Sequence, residues 1–306
     1  MSKEMLIIVN PKSGKAKMRT ELLDISEIFS SAGYHVSVYP TKGRADATKK
    51  AETLETGDFD TVVVCGGDGT LNEVITGIMH SGIDVRLGYI PSGTLNEWSS
   101  GLGISRDIKT AAKDIVTGST IKLDIGKFGD KYFSYTASFG AFTEASYSAP
   151  QETKNVLGQA AYFFEGIKSL GNIKPIHLCF EHDGEKTEGD FLFGAVSNSM
   201  SVGGIVKFDE AFVKLNDGLF EVLLIRKPKN IIEFQNIIDG ILRKDLTKNG
   251  IEFFHTDSLT VSHGEHVNWT LDGEFAEGSD PLRITNIHNA VTFIVPKSEI
   301  NAANIK

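Results

Sequence analysis

The stretch TVVVCGGDGTLNEV at residues 61–74 constrains the fold more than any other. Thr61-Val62-Val63-Val64 is β-branched and apolar, too short for a helix, and suits a strand buried on both faces. Gly66-Gly67-Asp68-Gly69 then interrupts regular structure, either through positive-φ positions or because backbones approach closely. Thr70-Leu71-Asn72-Glu73 has capping-box spacing, which predicts a helix with Thr70 as N-cap and Glu73 three residues on. A strand that ends in glycines and opens a helix presents backbone N–H groups at a positive helix end, suited to phosphate. An ordinary tight turn between strand and helix would leave the same trace.

The device recurs. Tyr89-Ile90-Pro91-Ser92-Gly93-Thr94-Leu95-Asn96-Glu97 again reads strand, glycine, then Thr-Leu-Asn-Glu, which predicts two helix starts facing one crevice. A third polar loop, Asn10-Pro11-Lys12-Ser13-Gly14, follows a predicted strand over 5–9. Loops at strand C-termini are where open α/β sheets bind ligands.

Taken in order and spacing, NPKSG, GGDGTLNE and PSGTLNE resemble the diacylglycerol kinase catalytic domain of bacterial soluble lipid kinases. That family shares a superfamily with sphingosine, ceramide and NAD kinases. GGDGT fits all of them; the NPxSG loop favours the lipid branch, and Asp272-Gly273-Glu274 strengthens it. The resemblance spans nearly the whole chain and implies ATP and Mg2+ as cofactors.

Up to about residue 118 the chain alternates strand and helix. Strands are expected at 5–9, 35–39, 61–64 and 86–90, and helices at 15–31, 45–55, 70–80, 96–101 and 108–117. In the first helix Leu22, Leu23, Ile25, Ile28 and Phe29 recur at helical spacing. This rhythm is that of a parallel sheet covered on both faces. From about Ser119 it becomes mostly strands: 121–128 and 132–137 about a Gly129-Asp130 turn, then 177–182, 189–197, 218–225, 258–262, 266–271, 282–286 and 290–295. Helices are expected at 154–170 and 230–242. The fold class is therefore an α/β N-terminal domain with a parallel sheet, 1–124, plus a mostly antiparallel β-sandwich C-terminal domain, 125–285. The resemblance adds that the segment 286–306 returns to the first domain.

The 306 residues suffice for one large domain or two ordinary ones. No apolar run approaches the roughly 18–20 residues of a membrane-spanning helix, and no signal-peptide core opens the chain. Cys65 and Cys179 are the only cysteines, which speaks for a reducing cytosol and against a disulfide framework. A formal charge of −9 opposes general attraction to nucleic acid or anionic headgroups. A lipid enzyme would need a local contact surface, for which Arg226-Lys227-Pro228-Lys229 and Arg243-Lys244 are candidates beside the plain reading of solvated charge. The expected partner is a diacylglycerol-like lipid met transiently at the inner membrane face, with no nucleic acid; the resemblance leaves room for a homodimer.

Other phosphate and metal signatures fail on spacing. Gly14-Lys15 is followed by alanine, the Gly67-x-Gly69 pair runs into Asn72, and His263-Gly264-Glu265-His266 lacks the i, i+4 histidines of a zinc protease. Asn268-Trp269-Thr270 is a glycosylation sequon without a secretory route. By resemblance, Asn10, Pro11, Lys12, Ser13, Gly14, Thr41, Gly66, Gly67, Asp68, Gly69, Thr70, Leu71, Asn72 and Thr94 line an ATP pocket. Asp68 is either a turn-forming residue or part of a Mg2+ and water network that Asp124 would share. Glu97 departs from the family pattern, which carries Asp there, and alternatively closes a second capping box with Thr94.

Asn216-Asp217-Gly218 alone reads as a hairpin turn. The resemblance adds a structural Mg2+ held by Asp217 with backbone oxygens near Lys214 and Leu219. Asp272 and Glu274 are the catalytic acids it implies, with Glu274 preferred as the base that accepts the lipid hydroxyl proton and Asp272 as its alternative; Asp68 completes the catalytic set. Phe139 and Phe142, with the aromatic run Tyr162-Phe163-Phe164, are candidates for an acyl pocket, though core packing explains most such aromatics.

Overall fold

A computed structural model describes residues 3–93, 96–140, 174–199, 201–202, 206–207, 213–264 and 266–298. The expected helix over 154–170 and Thr94, Phe142 and the Tyr162-Phe163-Phe164 run lie outside the described residues. The chain divides into two units, Met1–Ile125 with His288–Lys306, and Gly126–Ile287.

In the first unit, β1 (Lys3–Val9), β2 (Tyr34–Pro40), β3 (Thr61–Gly66) and β4 (Arg86–Pro91) form a parallel sheet in the order β2-β1-β3-β4. Every residue of β3 is buried, as its unbroken apolar run requires, whereas the edge strand β2 leaves Val38 in solvent. Thr292 and Phe293, near the end of the chain, pair in parallel with Arg86 and Leu87 of β4. The chain leaves β1 for β2 on one side and reaches β3 on the other. This strand order therefore reverses direction between β1 and β3, the place where such sheets open a crevice at their C-terminal ends.

Among the described residues five helices accompany these strands: α1 (Lys17–Ser31), α2 (Asp46–Glu52), α3 (Asp68–Ser81), α4 (Glu97–Gly101) and α5 (Ile108–Thr117). A 3-10 turn, Ser13–Ala16, precedes α1. Leu23 is 80% exposed, because it lies about 100° around the helix from Leu22 while Ile25 and Phe29 take the core.

The capping-box expectation at Thr70 is corrected. α3 begins at Asp68 with Gly67 as N-cap, and Thr70 sits within its first turn, its N–H donating to the Gly67 carbonyl at 3.0 Å. Glu73 reaches instead to the start of α2, where its carboxylate accepts from Ala45 N at 2.8 Å and Ala47 N at 3.2 Å. Tertiary contact overrode the local pairing. At the second quartet the N-cap is Asn96, not Thr94.

The second unit contains β6 (Lys131–Phe133), β7 (Thr136–Gly140), β8 (Ile176–His182), β9 (Glu185–Ser197), the short pair β10 (Ser201–Val202) and β11 (Val206–Lys207), β12 (Phe220–Arg226), β13 (Ile251–Thr256), β14 (Ser258–Ser262), β15 (Asn268–Leu271) and β16 (Glu274–Glu277). Its boundaries are crossed by β5 (Ser119–Phe128) at one end and β17 (Leu282–Val295) at the other. Pairing within the unit is antiparallel, in the β-sandwich-like arrangement expected.

β9 is the long element of this unit. Its first half pairs with β8 and its second with β7 and β12, and the register with β12 shifts between Arg226↔Phe191 and Ile225↔Phe193. The extra residue changes which side chains point to which face. Phe191 accordingly joins an aromatic cluster with Phe139, Phe180 and Trp269, while Phe193 and Ala195 join a second cluster. That second cluster is covered by α6 (Ile231–Arg243), which buries Phe234, Ile237 and Ile241. Phe139 is fully buried in the first cluster, so core packing accounts for it.

Three expectations need correcting here. The single strand over 132–137 is two strands, because Ser134, Tyr135 and Thr136 donate their N–H groups to a side chain instead of to a ladder. The strands over 282–286 and 290–295 are one, β17. The strands β13 and β16 and the short pair β10–β11 have no counterpart among the expected strands; in β13 the Ile251-Glu252-Phe253-Phe254 run blurs alternation.

Candidate nucleotide loops and acid hairpin

The loops at the C-terminal ends of the parallel strands are joined edge to edge by backbone. Asn10 N donates to Cys65 O at 2.8 Å, Thr41 N to Val9 O at 2.8 Å, and Ser92 N to Gly66 O at 2.8 Å. Side chains add a second layer. Asn10 Nδ2 donates to Thr70 Oγ1 at 3.2 Å, Asn10 Oδ1 accepts from Lys12 N at 3.0 Å, and the hydroxyls of Ser13 and Ser92 lie 2.6 Å apart. Four loops thereby form one cluster, bringing together Asn10, Lys12, Ser13, Thr41, Gly66, Gly67 and Thr70 of the expected set.

The glycines serve close approach. A Cβ on Gly93 would come within 2.6 Å of Gly67 Cα, and one on Gly67 within 3.2 Å of Gly93 Cα, so the loops after β3 and β4 touch backbone to backbone. Gly66, Gly67 and Gly69 are not among the positive-φ glycines, whereas Gly14 is, at 59°. Gly69 is exposed in the first turn of α3. The side chain of Leu71 is fully buried in the core, so it lines no ligand surface.

Asp68 occupies the first position of α3, where its charge complements the positive helix end. Tyr89, 1% exposed, directs its hydroxyl toward Asp68 Oδ1 at 3.5 Å and Asn96 Oδ1 at 3.4 Å. Burial, reinforced by the Asp68 charge, pushes the Tyr89 hydroxyl far above its ordinary pKa, so it remains a neutral donor. Asn96, at φ 50°, exchanges two hydrogen bonds of 2.9 Å with Gly93 and so fixes the loop after β4. Tyr89, Ser92 and Asn96 were not singled out in the sequence as site residues; the buried tyrosine before a glycine loop was the available signal.

Asp124 is fully buried. Its Oδ1 accepts from Asn289 N at 2.7 Å and lies 3.0 Å from His288 Nδ1, tying β5 to β17 within the first unit.

In the second unit, Asp272-Gly273 forms the two-residue turn of the β15–β16 hairpin, with Leu271 opposite Glu274. Both φ angles are positive, 50° and 84°, as in the mirror-image turns that match strand twist. Asp272 is 8% exposed, and its carboxylate accepts three backbone N–H groups: Ser134 at 2.6 Å, Tyr135 at 3.0 Å and Thr136 at 3.0 Å. Asp272 N also donates to Thr136 O at 2.9 Å, and Tyr135 Oη donates to Asp272 O at 3.0 Å. This acid locks the hairpin onto the β6–β7 connection. Glu274, the first residue of β16, is exposed.

Asp217 is exposed in a turn, where its Oδ1 accepts from Leu219 N at 3.1 Å; Lys214 is exposed and Leu219 half-buried. Among the described residues no group of three or more His, Cys, Asp or Glu is placed to hold a metal ion. One carboxylate with turn carbonyls is nevertheless the hard-oxygen, low-charge set that Mg2+ accepts together with water. Among the described residues no helix is long and apolar enough to cross a membrane.

Comparison with known proteins gives both units counterparts. Residues 4–128 match the family model of the diacylglycerol kinase catalytic domain, and residues 137–295 that of the YegS C-terminal NAD kinase beta sandwich-like domain. The chain is 33% identical to a diacylglycerol kinase of Bacillus subtilis (strain 168), over 97% of its own length and 98% of that protein. It is also 33% identical to one of Staphylococcus aureus (strain MRSA252), over 98% and 95%. A solved structure of a proposed diacylglycerol kinase from Bacillus anthracis str. Sterne superposes with a TM-score of 0.81 at 27% identity, covering 97% of this chain and 98% of that one.

Proposed function

The chain belongs to the diacylglycerol kinase family of lipid kinases, and from that premise we propose that it transfers the γ-phosphoryl group of ATP to the free hydroxyl of diacylglycerol or a related lipid. The product is of the phosphatidic acid type. The nucleotide work belongs to residues 1–124 with 286–306, and the lipid work to 125–285. The reaction runs in the cytoplasm, at the inner face of the membrane.

Phosphoryl transfer asks for positioned phosphates, neutralised charge and an activated hydroxyl. The first turn of α3, with the loops of Asn10–Gly14 and Gly66–Gly69 around it, supplies backbone donors for phosphate. Thr41 and Asn72 extend that surface, and the family resemblance assigns Thr94 to the same nucleotide set. Asp68, held by Tyr89, is placed to bind water around Mg2+, which would supply charge neutralisation, and Asp217 with carbonyls near Lys214 and Leu219 would hold a structural Mg2+. Glu274 accepts the hydroxyl proton, and Asp272 positions it.

The observation that carries this assignment is the division of labour in the hairpin. Both oxygens of Asp272 accept backbone N–H groups, while Glu274 stands exposed one residue beyond the turn. A base must reach its proton, and of the two acids only Glu274 is presented to do so. The test is transfer of label from γ-labelled ATP to a panel containing diacylglycerol, ceramide, a sphingoid base and NAD. Label in phosphatidic acid is the expected result; label in NAD alone would replace this reading with that of an NAD kinase.

A further inference from the structure

One face of α3 runs past the loops after β1 and β2 and then along α2. Thr70, Glu73, Gly77 and His80 recur every three or four residues along it, so at about 100° per residue they fall within roughly 80° of one another. Each clasps a different neighbour. Thr70 Oγ1 accepts from Asn10 Nδ2 at 3.2 Å and so holds the loop after β1. Gly77 lets α2 come close, since a Cβ there would lie 2.5 Å from Thr48 O and 2.6 Å from Ala51 Cβ. His80 Nδ1 lies 2.7 Å from Glu52 Oε1 at the far end of the same helix pair.

Glu73 holds the loop after β2. Ala45 is the N-cap of α2 at φ 60°, a backbone region unfavourable for alanine, and its methyl side chain offers the helix no acceptor. The missing acceptors come from α3: Glu73 Oε1 accepts from Ala45 N at 2.8 Å and Oε2 from Ala47 N at 3.2 Å. Thr48 Oγ1 adds a bond of 3.0 Å to the Glu73 carbonyl. At its other end the loop is tied by Thr41 N to Val9 O at 2.8 Å, and within itself by Lys42 N to Asp46 Oδ2 at 2.8 Å. Both oxygens of Glu73 thus accept from backbone, and bonds of this kind, to an ionised acceptor, are the strong ones.

We infer that Glu73 is a positioning residue of the nucleotide site, fastening the Thr41 loop to α3 before ATP arrives. This rests on the reading of these loops as the place where ATP binds. A loop fixed in advance spares binding the cost of ordering it. Glu73 therefore acts on nucleotide affinity and leaves the chemical step alone.

The test compares wild type with Glu73→Gln, Glu73→Ala and His80→Ala, by calorimetric ATP titration and by turnover on diacylglycerol in mixed micelles. Glu73→Gln keeps one acceptor oxygen, so the Kd and KM for ATP should rise about tenfold, the lower end for loss of a hydrogen bond to a charged group. Glu73→Ala keeps none and should raise both further. The kcat at saturating ATP should be unchanged in each. His80→Ala loosens the same helix pair without touching the loop, and should bind ATP as wild type does.

Equal ATP affinity in wild type and the glutamate variants overturns the proposal. So does a loss in His80→Ala that matches Glu73→Gln, or a fall in kcat with KM unchanged. Should Glu73→Ala fail to fold, Glu73→Gln still decides. A wild type that binds no ATP overturns the kinase reading and this inference with it. If ATP binding behaves as expected while no lipid accepts phosphate, the role of Glu73 stands and the lipid-kinase reading falls.

Discussion

The second unit contains the tripeptide Asp-Gly-Glu twice, at 183–185 and at 272–274, and folds both copies in the same way. Each Asp-Gly is the two-residue turn of an antiparallel hairpin, with His182 opposite Glu185 and Leu271 opposite Glu274. The φ angles agree closely, 48° and 79° at the first and 50° and 84° at the second. The surroundings differ. The Asp183 side chain is 56% exposed and has His182 Nδ1 at 3.4 Å, whereas Asp272 is buried under three backbone donors. A groove of about 420 Å³ even lies beside the first hairpin, lined by Glu181, Glu185, Lys186 and Arg283 among others, and it contains no residue of the nucleotide loops or of the second hairpin. Local sequence sets the turn; what the turn is fastened to sets how firmly it is held.

That contrast is open to experiment, and the largest effect concerns the glutamates. General-base help is commonly about 10²–10⁴-fold, so Glu274→Gln should lose turnover of that order with ATP affinity preserved. Glu185→Gln should stay within about twofold, as an exposed residue outside the site. Kinase turnover on diacylglycerol in mixed micelles, with calorimetric ATP titration, measures both; comparable losses would erase the distinction between the hairpins.

The aspartates should differ in stability. Asp272→Asn turns an amide toward backbone donors that a carboxylate had satisfied, and about 3 kcal/mol of unfolding free energy should go with it. Asp183→Asn should cost under about 0.5 kcal/mol. Urea titration of each variant supplies the two values.

The glycines should not differ. A Cβ at Gly184 or Gly273 would meet nothing within 4 Å, so the only penalty is positive φ, about 1–2 kcal/mol for alanine at either site. Unequal costs in the same titration would mean the two turns are less alike than their backbones.

The smallest effect is electrostatic. Beside the first hairpin, hydrogen bonds to Asp190 and then Glu188 raise the pKa of His177 above its ordinary value. A raised folded-state pKa stabilises fully below about pH 6.5 and is lost as pH climbs through the folded value. A slight fall in melting temperature as pH rises above about 6.5 should therefore vanish in His177→Gln.

Much of the first unit could be read from the chain, because its strands are continuous apolar runs punctuated by glycine. The cap positions could not: Glu73 chose Ala45 and Ala47 across space over the Thr70 start beside it in sequence. The strand break at 134–135 and the anchoring of Asp272 are one fact, and it joins residues more than 130 positions apart. Periodicity is blind to such a contact. The family resemblance pointed to the second Asp-Gly-Glu, but nothing in the tripeptide itself separates it from the first. The meeting of the loops after β3 and β4 was legible for the same reason that their glycines are needed: Gly67 and Gly93 mark where backbones approach.

The most direct test compares turnover of Glu274→Gln and Asp272→Asn at saturating ATP, at a temperature where both are folded. If Asp272 anchors and Glu274 takes the proton, Glu274→Gln should be slower than Asp272→Asn by at least about tenfold, with general-base loss setting the scale. The reverse order would make Asp272 the base and contradict the assignment drawn from its three backbone donors.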